Sequence, residues 1–205
     1  MIGVIGFGMV GTAVVYGFSR TDCLISDPKY NDLSIEYLIS KNPEAIFVCV
    51  PTPKGENFAT LLKVLDELKS FNYSGLVVVK STVLPEYLEH YDVVYNPEFL
   101  TRSTALQDFV NPKFVIIGGT RGNELLELYK KYSTVNLSNT YLVDIATAAF
   151  IKYSMNSFYA LKVTYMNAMH DIAKHIGADY NTATTILATD PWMGSNHFKV
   201  PGPDG

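Results

Sequence analysis

The chain opens with glycines spaced to suit phosphate binding. Gly6-Phe7-Gly8-Met9-Val10-Gly11 fits G-x-G-x-x-G, directly after the apolar run Ile2-Gly3-Val4-Ile5 and before a helical pattern. The first glycine permits the tight turn, and the second lets backbone approach a pyrophosphate that the helix N-terminus favours electrostatically. The third allows the helix to pack closely on the strand. Alone the hexapeptide is weak evidence, because glycine-rich turns are common and a bare strand–helix turn would look the same. Context strengthens it. Asp27 ends the next apolar run, 21 residues after Gly6, where a carboxylate can accept hydrogen bonds from ribose hydroxyls. The same charge would repel the 2′-phosphate of NADP, so the expected cofactor is NAD.

A second pair stands far along the chain. Lys152 and Asn156 are four residues apart in a helical pattern and share a face, which Tyr159 and Val163 continue. Spacing alone favours a solvated lysine beside a helix-surface asparagine. A pair acting together on a substrate is the alternative, and other features must decide.

The elements that position these residues follow from periodicity. Short apolar runs at 2–5, 24–27, 45–50, 76–79, 93–95 and 114–117 alternate with helical patterns near 9–19, 34–41, 57–70 and 121–132. Continuous apolar strands separated by amphipathic helices predict a parallel sheet covered on both faces. That is an α/β fold with a doubly wound, Rossmann-type sheet. From Ile145 to about Ile176 there is no Pro or Gly, so one long helix is expected, with Asp144 as N-cap and Gly177 as stop. It would run roughly 48 Å, beyond the width of a small domain. A further helix is expected over about 181–189, ended by Asp190-Pro191, and the tail from Pro201 to Gly205 cannot close a domain. The expected division is residues 1–143 for the dinucleotide-binding domain and 144–205 for a helical central region that dimerises.

Composition excludes several partners. Lys and Arg number 16 against 20 Asp and Glu, a net charge of −4, and there is no basic stripe for a polyanion, so no nucleic acid is expected. Residues 1–19 carry no charge, yet no positive n-region precedes the apolar run, and the glycines suit a turn better than a lipid-facing helix; no membrane partner is expected. Cys23 and Cys49, flanked by apolar residues, form neither a disulfide framework nor a metal spacing. Buried thiols in a reducing compartment are the simpler account, so the expected location is cytoplasmic and no metal is expected.

Four further motifs occur in order behind the glycine loop: Val48-Cys49-Val50-Pro51-Thr52-Pro53, Lys80-Ser81-Thr82-Val83, Asn96-Pro97-Glu98-Phe99-Leu100 and Lys152-x-x-x-Asn156. With them the chain resembles the UDP-glucose/GDP-mannose dehydrogenase family from its first strand to its last residue, nearest to the members that oxidise UDP-glucose. The stretch from Asp144 to Lys152 also matches the family's entry into its long central helix, which generally forms the dimer interface. The resemblance implies a two-stage oxidation of a nucleotide sugar's C6 alcohol to a carboxylate with two NAD. It implies that Lys152 and Asn156 stabilise oxyanion charge near C6, that Thr82 positions a water, and that Glu98 does acid/base work at the cofactor–substrate junction. Thr52 and Ser81-Thr82 would border the cofactor with the glycine loop and Asp27. Glu98, Phe99, Leu100, Lys152 and Asn156 would face the substrate.

Departures from the family's pattern are specific. Where it usually carries a second glutamate, four residues after the one matched by Glu98, this chain has Arg102; after Asp190-Pro191 it has Trp192 instead of arginine. The family's nucleophilic cysteine and nucleotide-sugar domain are expected beyond the position of Gly205, and neither Cys23 nor Cys49 matches that nucleophile. The implied reading is thus the N-terminal portion of a nucleotide-sugar dehydrogenase. The alternatives are a β-hydroxyacid or 6-phosphogluconate-type dehydrogenase and a non-catalytic NAD-binding or dimerisation module.

Overall fold

The structure, a computed structural model, describes residues 1–53, 55 and 58–201. The first position of the helix expected at 57–70 and the tail beyond Pro201 lie outside the described residues. The chain divides into two compact units, Met1–Lys152 and Tyr153–Gly205.

In the first unit, among the described residues, seven strands form one sheet in the order β2-β1-β3-β4-β5-β6-β7. They are β1 (Ile2–Ile5), β2 (Cys23–Ser26), β3 (Ala45–Val48), β4 (Leu76–Val79), β5 (Val93–Tyr95), β6 (Val115–Gly118) and β7 (Thr140–Val143). The helices are α1 (Met9–Gly17), α2 (Ile35–Ser40), α3 (Ala59–Ser70), α4 (Ala105–Val110) and α5 (Gly122–Tyr132), with α6 (Ile145–Ile176) leading out of the unit. Strands β1 to β5 pair parallel, β6 pairs antiparallel with β5, and β7 is parallel to β6. The mostly parallel, doubly wound α/β sheet is thus as expected. Periodicity did not reveal β7, α4 or the reversal at β6.

Successive strand residues serve opposite faces. Val4, Phe47 and Val78 pack with Val14, Phe18, Leu125 and Tyr129 on one side. Ile5, Ile46, Val48, Val77 and Val79 pack with Leu38, Leu61, Leu65 and Ala148 on the other. This period of two in a run with no polar break is what a sheet covered on both faces requires. Each fully buried Leu, Ile or Phe contributes about 1.5–3 kcal/mol over its exposed state. The sheet order reverses direction of travel at β1 and β3, and in such sheets ligands bind outside the carboxyl ends of the strands at that switch point.

The second unit takes α6 from Tyr153 onward and α7 (Tyr180–Leu187). The unbroken length of α6 follows from the absence of Gly and Pro, and it ends at Gly177, whose φ of +73° suits the left-handed stop. Asp179 caps α7 by accepting from the amides of Asn181 and Thr182. Lys162 Nζ donates to the carbonyls of Met193 and Gly194, and the Tyr180 hydroxyl donates to that of Phe198. Met166, Ala173 and Phe198 are buried in this unit. Phe158, Leu161, Tyr165, Ile172 and Ile176 remain exposed along α6.

Candidate active site

Each glycine of the loop answers a different steric demand. Gly6 has φ +90°, and a Cβ there would stand 2.8 Å from the Cys49 carbonyl oxygen. At Gly11 a Cβ would stand 2.0 Å from the Gly6 carbonyl oxygen, so α1 can lie this close to the turn only without a side chain. Gly8 is exposed and its Cβ would meet no protein atom within 4 Å. The space over Gly8 is therefore open to a group approaching the start of α1, where Met9 is exposed and Val10 half-buried. A pyrophosphate fits that cradle.

Asp27 directly follows β2 and is tied to the loop. Its Oδ2 accepts the Phe7 N–H at 2.6 Å and its Oδ1 the Lys29 N–H at 2.8 Å. An ionised carboxylate has about four acceptor positions, so each oxygen can still take a hydroxyl hydrogen. The acid thus suits the ribose contact and also holds the loop in shape.

The other motif residues follow the carboxyl ends of neighbouring strands. Thr52 lies beyond β3, Ser81 and Thr82 beyond β4, and Glu98 beyond β5. The buried Ser81 hydroxyl donates to the Val50 carbonyl at 2.6 Å, tying the β3 and β4 loops together. Thr52 and Thr82 are half-buried. A depression of about 800 Å³ lined by Glu44, Leu76, Glu124 and Lys131 lies instead toward the amino ends of the strands and contains none of these residues.

Lys152, on the first turns of α6, reaches Glu98. Its Nζ stands 3.0 Å from Glu98 Oε1 and donates to the Glu98 carbonyl at 2.5 Å. The pair is largely buried, with side-chain exposures of 5% for Lys152 and 15% for Glu98. Glu98 Oε2 accepts the Leu100 N–H at 2.8 Å, and the ammonium lies 5.2 Å from the centroid of the Phe99 ring. The motif around Glu98 therefore wraps the lysine on three sides. Lys152 is no solvated surface lysine. Asn156, one helical turn onward, belongs to the second unit and is exposed there, and Arg102 is exposed beyond the Glu98 motif.

The motifs contained two further polar residues to which the sequence reading assigned no role. Lys80 is 3% exposed and donates to the Asn96 carbonyl at 2.9 Å and to Asn96 Oδ1 at 2.8 Å. Asn96 Oδ1 also accepts from the Tyr129 hydroxyl, and Asn96 Nδ2 donates to the Ile116 carbonyl. This buried network clamps the ends of β4 and β5, from which Thr82 and Glu98 project. Burial pushes the Lys80 ammonium down to about 8, partly offset by the Glu98 carboxylate. The available signal was positional: each is the first polar residue after an apolar strand.

The two thiols are poor nucleophiles. Burial raises Cys49 to about 12 and also raises Cys23, so neither is poised as a thiolate.

Residues 30–136 match the model of the UDP-glucose/GDP-mannose dehydrogenase family, NAD binding domain, and residues 146–205 match that family's central domain. The chain is 33% identical over 176 residues to a UDP-glucose 6-dehydrogenase of Rickettsia conorii, covering 78% of this chain and 41% of that protein. It is 29% identical to a GDP-mannose 6-dehydrogenase of Pseudomonas syringae, covering 76% of this chain and 41% of that one. The chain thus spans about two fifths of the length of the curated relatives it matches. A UDP-glucose dehydrogenase from the archaeon Pyrobaculum islandicum shares the fold with a TM-score of 0.77 at 24% identity, covering 96% of this chain and 58% of that one. The cofactor expected from the glycine loop, NAD, is the one for which the matched domain is described. Among the described residues no helix is long and apolar enough to cross a membrane. The two family models together match most of the chain, from residue 30 to residue 205, and the chain belongs to the UDP-glucose/GDP-mannose dehydrogenase family.

Proposed function

We propose that the whole protein is an NAD-dependent nucleotide-sugar 6-dehydrogenase of the UDP-glucose type, to which these residues contribute the cofactor site and part of the reacting centre. The observation that carries the reading is the buried Glu98–Lys152 pair on the same edge of the sheet as the glycine loop. NAD, when bound, accepts the hydride leaving C6. The Lys152 ammonium lies beside the Glu98 carboxylate, so a hydroxyl entering there meets a proton acceptor and a cation together. Asn156 would add a neutral donor to the developing oxyanion, and Thr82 would hold the water for the later hydrolysis. Phe99 and Leu100 would border the sugar, and Thr52 and Ser81 the cofactor. The raised thiols leave the covalent step of aldehyde oxidation to a cysteine other than Cys23 and Cys49.

Cofactor choice provides the test. The chain is expected to bind NAD more tightly than NADP in calorimetry. Asp27→Ala should weaken NAD about tenfold, near 1.4 kcal/mol, and narrow the preference, because a ribose acceptor and a phosphate-repelling charge go together. Equal affinity of the unmutated chain for both cofactors would sink the cofactor assignment. In the whole protein, NADH should accumulate with UDP-glucose. A protein that binds NAD but reduces none with any nucleotide sugar would be a binding module instead.

The proposed partners are a nucleotide sugar and a second copy of the chain. The exposed Phe158, Leu161, Tyr165 and Ile172 would form an apolar stripe larger than isolated monomers usually tolerate. Sedimentation at micromolar concentration should show a homodimer, and a clean monomer with an intact helix would refute it. The free Cys23 and Cys49 support a reducing compartment, and the cytoplasm is the proposed location.

A further inference from the structure

The turn after β2 holds an aromatic side chain that the mechanism above leaves unused. Tyr30 follows Asp27 by three residues and is 59% exposed. Its amide donates to the Asp27 carbonyl at 2.9 Å. Its ring rests on that of Phe7, in the glycine loop, with centroids 4.5 Å apart and planes inclined by 55°. Phe7 is anchored in turn by its N–H to Asp27 Oδ2. Tyr30 is therefore held from two sides, by the glycine loop and by the turn that carries the acid. Among the described residues β2 is an outer strand of the sheet, with no further strand beyond it.

An exposed tyrosine alone needs no explanation. Its position does. A dinucleotide with its pyrophosphate over Gly8 and its adenosine ribose at Asp27 must carry its base outward past the carboxyl end of β2. The exposed Tyr30 ring stands in the turn that follows that end of β2. Base–aromatic stacking needs only a π-face on each partner and contributes roughly tenfold or more in affinity per base. Because Phe7 backs the ring, little side-chain freedom is left to lose on binding.

We propose that Tyr30, backed by Phe7, is the seat on which the adenine base of the dinucleotide stacks. The inference rests on the cofactor reading of the glycine loop and adds the residue that meets the base. It also assigns Phe7 two tasks, an amide for the acid and a ring for the tyrosine.

The test separates ligands with and without adenine. Calorimetric titrations use NAD, ADP-ribose and nicotinamide mononucleotide against the unmutated chain, Tyr30→Ala and Tyr30→Phe. Tyr30→Ala should weaken NAD and ADP-ribose about tenfold and leave the mononucleotide unchanged, whereas Tyr30→Phe should bind all three as the unmutated chain does. Unchanged ADP-ribose affinity in Tyr30→Ala would overturn the inference while leaving the cofactor site standing. Equal weakening of the mononucleotide would also overturn it, because the ring would then only shape the loop. Failure of the unmutated chain to bind NAD or ADP-ribose would remove the cofactor reading and the inference with it.

Discussion

Lys152→Met should lower the unfolding free energy by about 3 kcal/mol, near the lower end of the cost of breaking a buried ion pair. The reason is what stays behind. Glu98 keeps only 15% of its side chain in water and loses the cation 3.0 Å from its Oε1. Its backbone carbonyl loses a donor as well. The Leu100 amide on Oε2 remains but cannot neutralise the charge. Adding Glu98→Gln to Lys152→Met should recover part of the loss, because the uncompensated charge disappears while the residue keeps its shape. Urea unfolding of the two single variants and the double variant measures the coupling. A single-variant loss under 0.5 kcal/mol would mean that the pair is solvated and that Lys152 is an ordinary helix-surface lysine.

The second large effect is a pH dependence specific to Lys80. Its folded-state value of about 8 lies below the ordinary lysine value. Between pH 8 and about 10.5 the unfolded chain therefore holds a proton that the folded chain has shed. The unfolded state binds more protons in that window, so the contribution of Lys80 to stability rises with pH. Below pH 8 both states are protonated and the cost of burying the ammonium is felt in full. Relative to Lys80→Met, the unmutated chain should gain on the order of 3 kcal/mol from pH 7.5 to 10.5. The comparison with a variant is needed because the raised Cys49 acts in the opposite direction: its folded thiol stays protonated above pH 9 while the unfolded one ionises. That loss is common to both proteins and largely cancels. Parallel pH profiles for the two would show that Lys80 keeps its proton throughout.

The motif residues were legible where their signal is carried by consecutive positions. The glycine loop could be read because turn, pyrophosphate approach and helix contact each require a missing side chain at a fixed offset. The structure gives each glycine its separate reason, through Cys49, open space and Gly6 respectively. The long helix α6 was legible because 32 residues without Gly or Pro, with Asp144 before them and Gly177 after, leave few other conformations. Continuous apolar runs between helical patterns likewise marked six of the strands and the two-sided sheet.

The partners of the polar side chains were decided by tertiary structure. Spacing on α6 favoured a solvated Lys152, yet Glu98 lies 54 residues earlier in the chain and buries it. The Lys80 clamp closes over 16 residues to Asn96 and 33 more to Tyr129. Phe7 meets Tyr30 only because β2 lies parallel beside β1. The reversal of β6 and the exposed edge strand β7 escaped notice because an apolar run reads alike in either direction, and the half-exposed pattern of Thr140–Val143 is too short to show a period. Helical and strand periods, caps and tight turns are local properties of the backbone, so the amino-acid sequence determined the elements and the glycine loop. Which charged group loses its water, and against which partner, depends on how the chain crosses itself, and only the fold decided that.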